Sequence, residues 1–400
     1  MRKLLALSLG VVAALISVTA NAAEWKTENF AGGLSTVHIY NPATTSPIGN
    51  GKALLIVLRG CAQAASAFKT ANLDKVADEY GIVIAAAEPN QTHGADCWGY
   101  WTGAYGPATL GRDIGEVKNV ISTTKSMISI AEYDIDPNQV YIGGLSSGGG
   151  MAMDIGCFAP DIYAGMALDA APSPGNSWQG AFSHEGTVAS TKDTCEKYAG
   201  EYKKHFATQI TSTAYGGNDT TVPRTYGLQN AEAMAIIYGA SKTDKTNKVQ
   251  DFDDVIESTW TNGRVSMVVF GNEGDFNAVG HAWPGGSGAS GSFIDGSSAN
   301  YGLYLGKFFS ENNMRVEQDE NQVPELLNIT VDVHGDSIIV NGTAKDDEEI
   351  KSVVINLSGP ITDSISVQID GLNTTTISNE TFTDLAAGEY TVIVTATDNK

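Results

Sequence analysis

Between residues 50 and 310, short continuous apolar runs alternate with longer segments of helical character, and no other feature of the chain limits its fold as tightly. The runs "ALLIVLRG" (53–60), "IVIAAAEP" (82–89), "QVYIGGLS" (139–146), "YAGMALDAAP" (163–172), "ITSTAYGG" (210–217) and "VSMVVFGN" (265–272) read as strands. "SAFKTANLDKVADEYG" (66–81), "DIGEVKNVISTTKSMISIAE" (113–132) and "GGMAMDIGCF" (149–158) read as the helical segments between them. Strands covered on both faces are apolar throughout, and their alternation with helices predicts a mostly parallel sheet flanked by helices.

Past residue 310 the texture changes twice. "ENNMRVEQDENQVPE" (311–325) is polar and acidic, which suits a linker over 313–325. From 326 to 400, short runs such as "SIIVNGTA", "KSVVINLSG" and "EYTVIVTATDN" are rich in Val, Ile and Thr and are separated by Gly, Asn and Asp. They predict a small C-terminal β-sandwich, Ig-like or fibronectin III-like, with Tyr390 where a tyrosine corner would sit. The sequence stops directly after this last run, so a closing strand is expected beyond it.

The first 22 residues, "MRKLLALSLGVVAALISVTANA", have a basic start, an apolar stretch and small residues at 20 and 22. That layout predicts a secretory signal peptide over 1–22 and a large domain over 23–312. An exported chain leaves the reducing cytosol, so Cys61, Cys97, Cys157 and Cys195 are expected to form two disulfides, with three pairings open. None of the four has metal-ligand spacing. A formal net charge of −22 disfavours nucleic acid or an anionic membrane as a partner.

"QVYIGGLSSGGGMAMDIG" (139–156) places Ser146 where a strand-like run gives way to a helix-like one. A Gly-rich turn would account for the glycines alone. In an α/β-hydrolase fold, however, the nucleophile stands on such a turn, where a Cβ at the flanking glycines would clash. Serine needs an adjacent base. Of six histidines only His281, in "VGHAWPGG", follows a strand-like run late in the large domain, as the chain order of that fold demands. The third member is a carboxylate between them: Asp219 in "STAYGGNDTTVP" is preferred, with Asp169 in "MALDAAP" as the competitor. Two backbone donors are expected to form an oxyanion hole, from Ser147 and from Cys61 in the loop after "LLIVL".

With "LRGCAQAASAF", "DCWGYW", "GLSSGGGMA", "GGNDTTVP" and "GHAWPGG" in this order, the chain resembles the catalytic domain of extracellular poly(3-hydroxybutyrate) depolymerases over residues 30–310, a group similar to secreted feruloyl and acetylxylan esterases. The resemblance implies Ser146, Asp219 and His281 as a triad, Cys61 and Ser147 as oxyanion donors, and pairing of Cys61 with Cys97 and of Cys157 with Cys195. One departure stands out: Arg59-Gly60-Cys61 replaces the family's His-Gly-Cys, which puts the support of the oxyanion loop in question. If Cys97 is tied to Cys61, the aromatic cluster around Trp98 and Tyr105 is held beside the serine, and Trp98, Tyr105 and Trp283 become the expected substrate contacts.

The chain therefore reads as a secreted serine esterase that needs no metal or organic cofactor and acts on a polymeric, insoluble ester such as poly(3-hydroxybutyrate). The competing readings are an esterase removing feruloyl or acetyl groups from plant polysaccharide, and an inactive secreted polymer-binding or adhesion protein. The terminal module would serve as a spacer or hold the enzyme on a solid surface. Oligomeric state stays open.

Overall fold

The computed structural model of the chain describes residues 23–316, 324–346, 350–369 and 373–398. The expected signal peptide lies outside these residues, as does 317–323 of the expected linker. The chain divides into two compact units between Glu317 and Gln318.

The first unit is built on ten strands: β1 (Lys26–Glu28), β2 (Val37–Tyr40), β3 (Lys52–Leu58), β4 (Ile82–Ala87), β5 (Ile135–Leu145), β6 (Gly165–Asp169), β7 (Ile210–Gly216), β8 (Lys242–Val249), β9 (Phe252–Trp260) and β10 (Val265–Phe270). They form one sheet in the order β1-β2-β4-β3-β5-β6-β7-β10-β9-β8. Its centre, from β4 to β10, is parallel, and both edges are antiparallel. Two short strands of the same unit, β11 (Trp283–Pro284) and β12 (Ile294–Asp295), pair with each other apart from this sheet.

Successive side chains of a strand point to opposite faces, so each continuous apolar run feeds two cores. Leu54, Ile56 and Leu58 of β3 enter one core, while Ala53, Leu55 and Val57 enter the other. The helices that cover these faces are α1 (Leu73–Tyr80), α2 (Gly115–Ser129), α3 (Ser147–Phe158), α4 (Gly180–Ser183), α5 (Val188–Ala199), α6 (Thr225–Tyr238) and α7 (Tyr301–Asn312). Two disulfides brace this unit, Cys61–Cys97 and Cys157–Cys195, and the second ties α3 to α5.

The apolar pattern does not predict the β8–β9 hairpin. Seven of the eight β8 residues are exposed or half-exposed, so "KTDKTNKV" lacks the signature that marks the central strands. It is held by backbone pairing to β9 at the sheet edge.

In the second unit, β13 (Glu325–His334), β14 (Ser337–Lys345) and β17 (Thr374–Phe382) form one antiparallel sheet; β15 (Ile350–Ser358), β16 (Asp363–Val367) and β18 (Thr391–Asp398) form another. Ile338, Val340 and Phe382 from one sheet share a core with Val353, Ile355 and Leu357 from the other, which makes this unit a small β-sandwich. Tyr390 donates its hydroxyl to the Ala386 carbonyl at 3.0 Å, the contact of a tyrosine corner.

Candidate active site

Strand β5 ends at Leu145 and α3 begins at Ser147, so a single residue makes the turn. That residue, Ser146, has φ 57° and ψ −122°, a conformation that side chains other than glycine seldom adopt. Its amide bonds the Asp169 carbonyl at 2.9 Å and its carbonyl accepts from Gly150 at 2.9 Å. The flanking glycines are sterically required. A Cβ on Gly144 would fall 2.5 Å from the Leu58 carbonyl oxygen, and one on Gly148 would collide with the carbonyls of Leu58 and Arg59. The loop after β3 is thereby pressed against the serine, and a Cβ on Gly60 would stand 3.4 Å from that of Ser146.

Ser146 opens into a cavity of about 220 Å³ that is also lined by Gly60, Cys61, Ser147 and His281. His281 lies in the loop after β10 and hydrogen bonds through Nδ1 to Asp219 Oδ2 at 2.8 Å. A carboxylate only accepts, so Nδ1 donates this bond, an arrangement that in the neutral imidazole leaves the lone pair on Nε2. The other oxygen, Asp219 Oδ1, accepts the amides of Thr221 at 2.8 Å and Val222 at 3.0 Å. The Asp219 side chain is wholly buried and the imidazole is 12% exposed. An imidazole fixed by a buried carboxylate, lining one cavity with a strained serine at a helix N-terminus, has the elements of nucleophilic acyl transfer.

Asp169 takes no part in this network. Its carboxylate is fully buried without a hydrogen-bond partner among the described residues, and burial, reinforced by the nearby Asp219, drives its pKa far above the ordinary range. Its contribution is the main-chain carbonyl that holds Ser146.

The expected aromatic contacts stand elsewhere. Trp98 and Trp283 are wholly buried in the two cores, where Trp283 packs against Phe68 and Tyr301, and neither reaches the cavity. Tyr105 is 69% exposed and is likewise absent from the lining. The Cys61–Cys97 bond does hold the aromatic segment near the serine, but Trp98 turns inward and Tyr100 is left to face the cavity.

The remaining aromatic wall comes from Trp178 in the loop after β6, from Phe182 in α4 and from Phe293. Trp178 is packed between Trp101 at 4.7 Å and Phe182 at 5.2 Å. Tyr226 ties this loop down, donating its hydroxyl to the Gly180 carbonyl at 2.6 Å and accepting from the Glu185 amide. Their one sequence signal is position: aromatics in a loop after a parallel strand's carboxyl end, where α/β sheets place their sites.

The long arm at position 59 is also accounted for. Arg59 is 3% exposed, with Nε on Glu88 Oε2 at 2.5 Å, Nη1 on the carbonyls of Gly60 and Asp96 at 2.9 and 2.7 Å, and Nη2 on Asp96 Oδ1 at 3.0 Å.

Comparison with known proteins adds four findings. Residues 38–184 match the family Esterase PHB depolymerase. A poly(3-hydroxybutyrate) depolymerase of Ralstonia pickettii is 34% identical over 313 residues, 74% of this chain and 62% of its own length, so the chain spans about three fifths of that relative. Feruloyl esterase B of Neurospora crassa is 34% identical over 123 residues, 29% of this chain and 38% of its own. Among solved structures, an acetyl xylan esterase from Aspergillus awamori aligns with a TM-score of 0.48 at 15% identity, covering 65% of this chain and 94% of that one.

Proposed function

We propose that this chain, whose residues 38–184 match the Esterase PHB depolymerase family, is a secreted serine esterase that hydrolyses poly(3-hydroxybutyrate) or a related short-chain polyester. The observation that carries the reading is the strained Ser146 sharing one cavity with a histidine whose Nδ1 is held by buried Asp219. The chain's similarity to a relative named for that polymer supports the substrate class.

In this reading Ser146 Oγ attacks the ester carbonyl while His281 Nε2 takes its proton. The imidazolium that forms is stabilised by Asp219. Negative charge gathers on the former carbonyl oxygen and is met by the amides of Cys61 and Ser147, the latter at the positive end of α3. Collapse of the intermediate expels the alcohol, which receives the proton from His281, and leaves an acyl group on Ser146. Water then repeats the sequence, deprotonated by the same imidazole, and frees a hydroxyacid or short oligomer. The walls of Tyr100, Trp178, Phe182, Phe293 and Val222 offer a methyl-bearing repeat an apolar surface. The terminal sandwich acts as a spacer or surface anchor.

A second reading, removal of feruloyl groups from polysaccharide, is favoured by the same aromatic wall, which would stack on a phenolic ring. The two are separated by incubating the purified protein with a suspension of the polyester and with feruloylated and acetylated xylan. Release of 3-hydroxybutyrate, absent in Ser146→Ala, is the expected result. Ferulate or acetate alone would overturn the polyester reading.

A further inference from the structure

We infer that Arg59 is a positioning residue for the oxyanion hole, acting through the peptide between Gly60 and Cys61. This inference rests on the assignment of the Cys61 amide as an oxyanion donor under the proposed function.

A peptide unit is planar, so its carbonyl and its N–H are oriented together. The carbonyl of Gly60 belongs to the same plane as the Cys61 N–H, and Arg59 Nη1 grips that carbonyl at 2.9 Å. The same nitrogen also holds the Asp96 carbonyl at 2.7 Å, which in turn accepts the Ala62 amide at 3.1 Å. Through Nε the guanidinium holds Glu88, whose other oxygen accepts the Ala65 amide at 2.6 Å. In the preceding peptide unit, the Gly60 amide donates to Gln63 Oε1 at 2.8 Å. The strand end, the 60–65 loop and the segment leading to Cys97 thus converge on one buried cation.

Two effects follow. The first is geometric: a planar fork with fixed donor directions prevents the peptide from rotating its N–H away from the position the oxyanion occupies. The second is electronic, because a cation on the carbonyl draws density through the conjugated amide and strengthens the N–H as a donor. Neither effect touches the substrate in its ground state. The Cys61–Cys97 disulfide secures the loop covalently without setting the angle of this peptide.

The test is steady-state hydrolysis of p-nitrophenyl butyrate by the wild type, Ser146→Ala, Arg59→Lys and Arg59→Gln, with inhibition by butylboronic acid, which forms a tetrahedral adduct on serine. Lysine keeps the charge but cannot reach all of these acceptors, and glutamine keeps one donor without charge. Both variants are expected to lose about 10- to 100-fold in kcat, less than outright loss of an oxyanion donor, with KM within about twofold. The boronate inhibition constant should rise by a similar factor. Folded variants with wild-type kcat, or a loss confined to KM or not matched by the boronate, would overturn the inference. So would failure of both variants to fold, since Arg59 would then hold the domain and not the donor. Lack of Ser146-dependent activity in the wild type would instead overturn the functional reading on which this one stands.

Discussion

Strands β6 and β7 lie side by side with Asp169 in register with Ala214, and each delivers one buried aspartate at or just past its carboxyl end. The two carboxylates have opposite fates. Asp169 is the last residue of its strand; its side chain goes into the packed interior without a hydrogen-bond partner among the described residues, and burial pushes it toward the neutral form. Asp219 stands three residues beyond its strand, in a turn whose amides at 221 and 222 occupy one oxygen while His281 occupies the other. Burial alone therefore does not make a functional carboxylate. What distinguishes Asp219 is a loop that supplies donors and a histidine within reach.

The largest expected effect tests this contrast directly. Asp219→Asn should lower kcat by about 10⁴-fold, because an amide at that place no longer selects the tautomer that leaves Nε2 free. Asp169→Asn should leave kcat/KM within about threefold of wild type, as it removes nothing that changes in the transition state. Parallel assays on p-nitrophenyl butyrate would break the comparison if the two variants behaved alike.

A smaller effect is expected from what the segment after β6 does contribute. Phe182→Ala, at a half-exposed wall position, should raise KM for a butyrate ester about tenfold, corresponding to apolar area lost from the cavity, with kcat little changed. The same substitution should matter less for an acetate ester, whose shorter acyl group covers less of that wall.

The smallest effect concerns stability. The Asp169 carboxyl binds its proton more tightly in the folded chain than in the unfolded one, since burial and Asp219 raise its pKa. Its contribution is therefore fully present below the unfolded carboxyl range, about pH 4, and is lost as pH rises through the interval above it. Asp154, buried in α3 without hydrogen-bond partners among the described residues, has its pKa raised by burial as well and behaves in the same sense. Denaturant titrations across about pH 4 to 7 should show a shallower decline in Asp169→Asn than in wild type. An unchanged slope would mean that the carboxyl is solvated.

Most of the sheet was legible because its strands are buried on both faces. A run such as "LLIVL" is apolar without interruption, which neither a solvent-facing strand nor an amphipathic helix would be. The β8–β9 hairpin was not legible, since β8 is a solvent-facing edge strand and β9, paired between it and β10, carries little apolar periodicity. At the site, the glycines at 144 and 148 pointed to the serine turn because tight backbone approach leaves a mark in sequence. Side-chain direction leaves none. "DCWGYW" alone does not tell which ring turns toward the cavity, and Tyr100 faces it while Trp98 is core. The walls from Trp178 and Phe182 depend on how a long loop folds back, held by the contact of Tyr226 with Gly180, 46 residues apart in sequence.

The central claim is that Ser146 is activated by His281, and labelling with a serine-directed fluorophosphonate tests it most directly. Digestion and mass spectrometry of the wild type should place one adduct on Ser146, with labelling abolished in Ser146→Ala and strongly slowed in His281→Ala. An adduct on another serine, or equal labelling of the His281→Ala variant, would contradict the account.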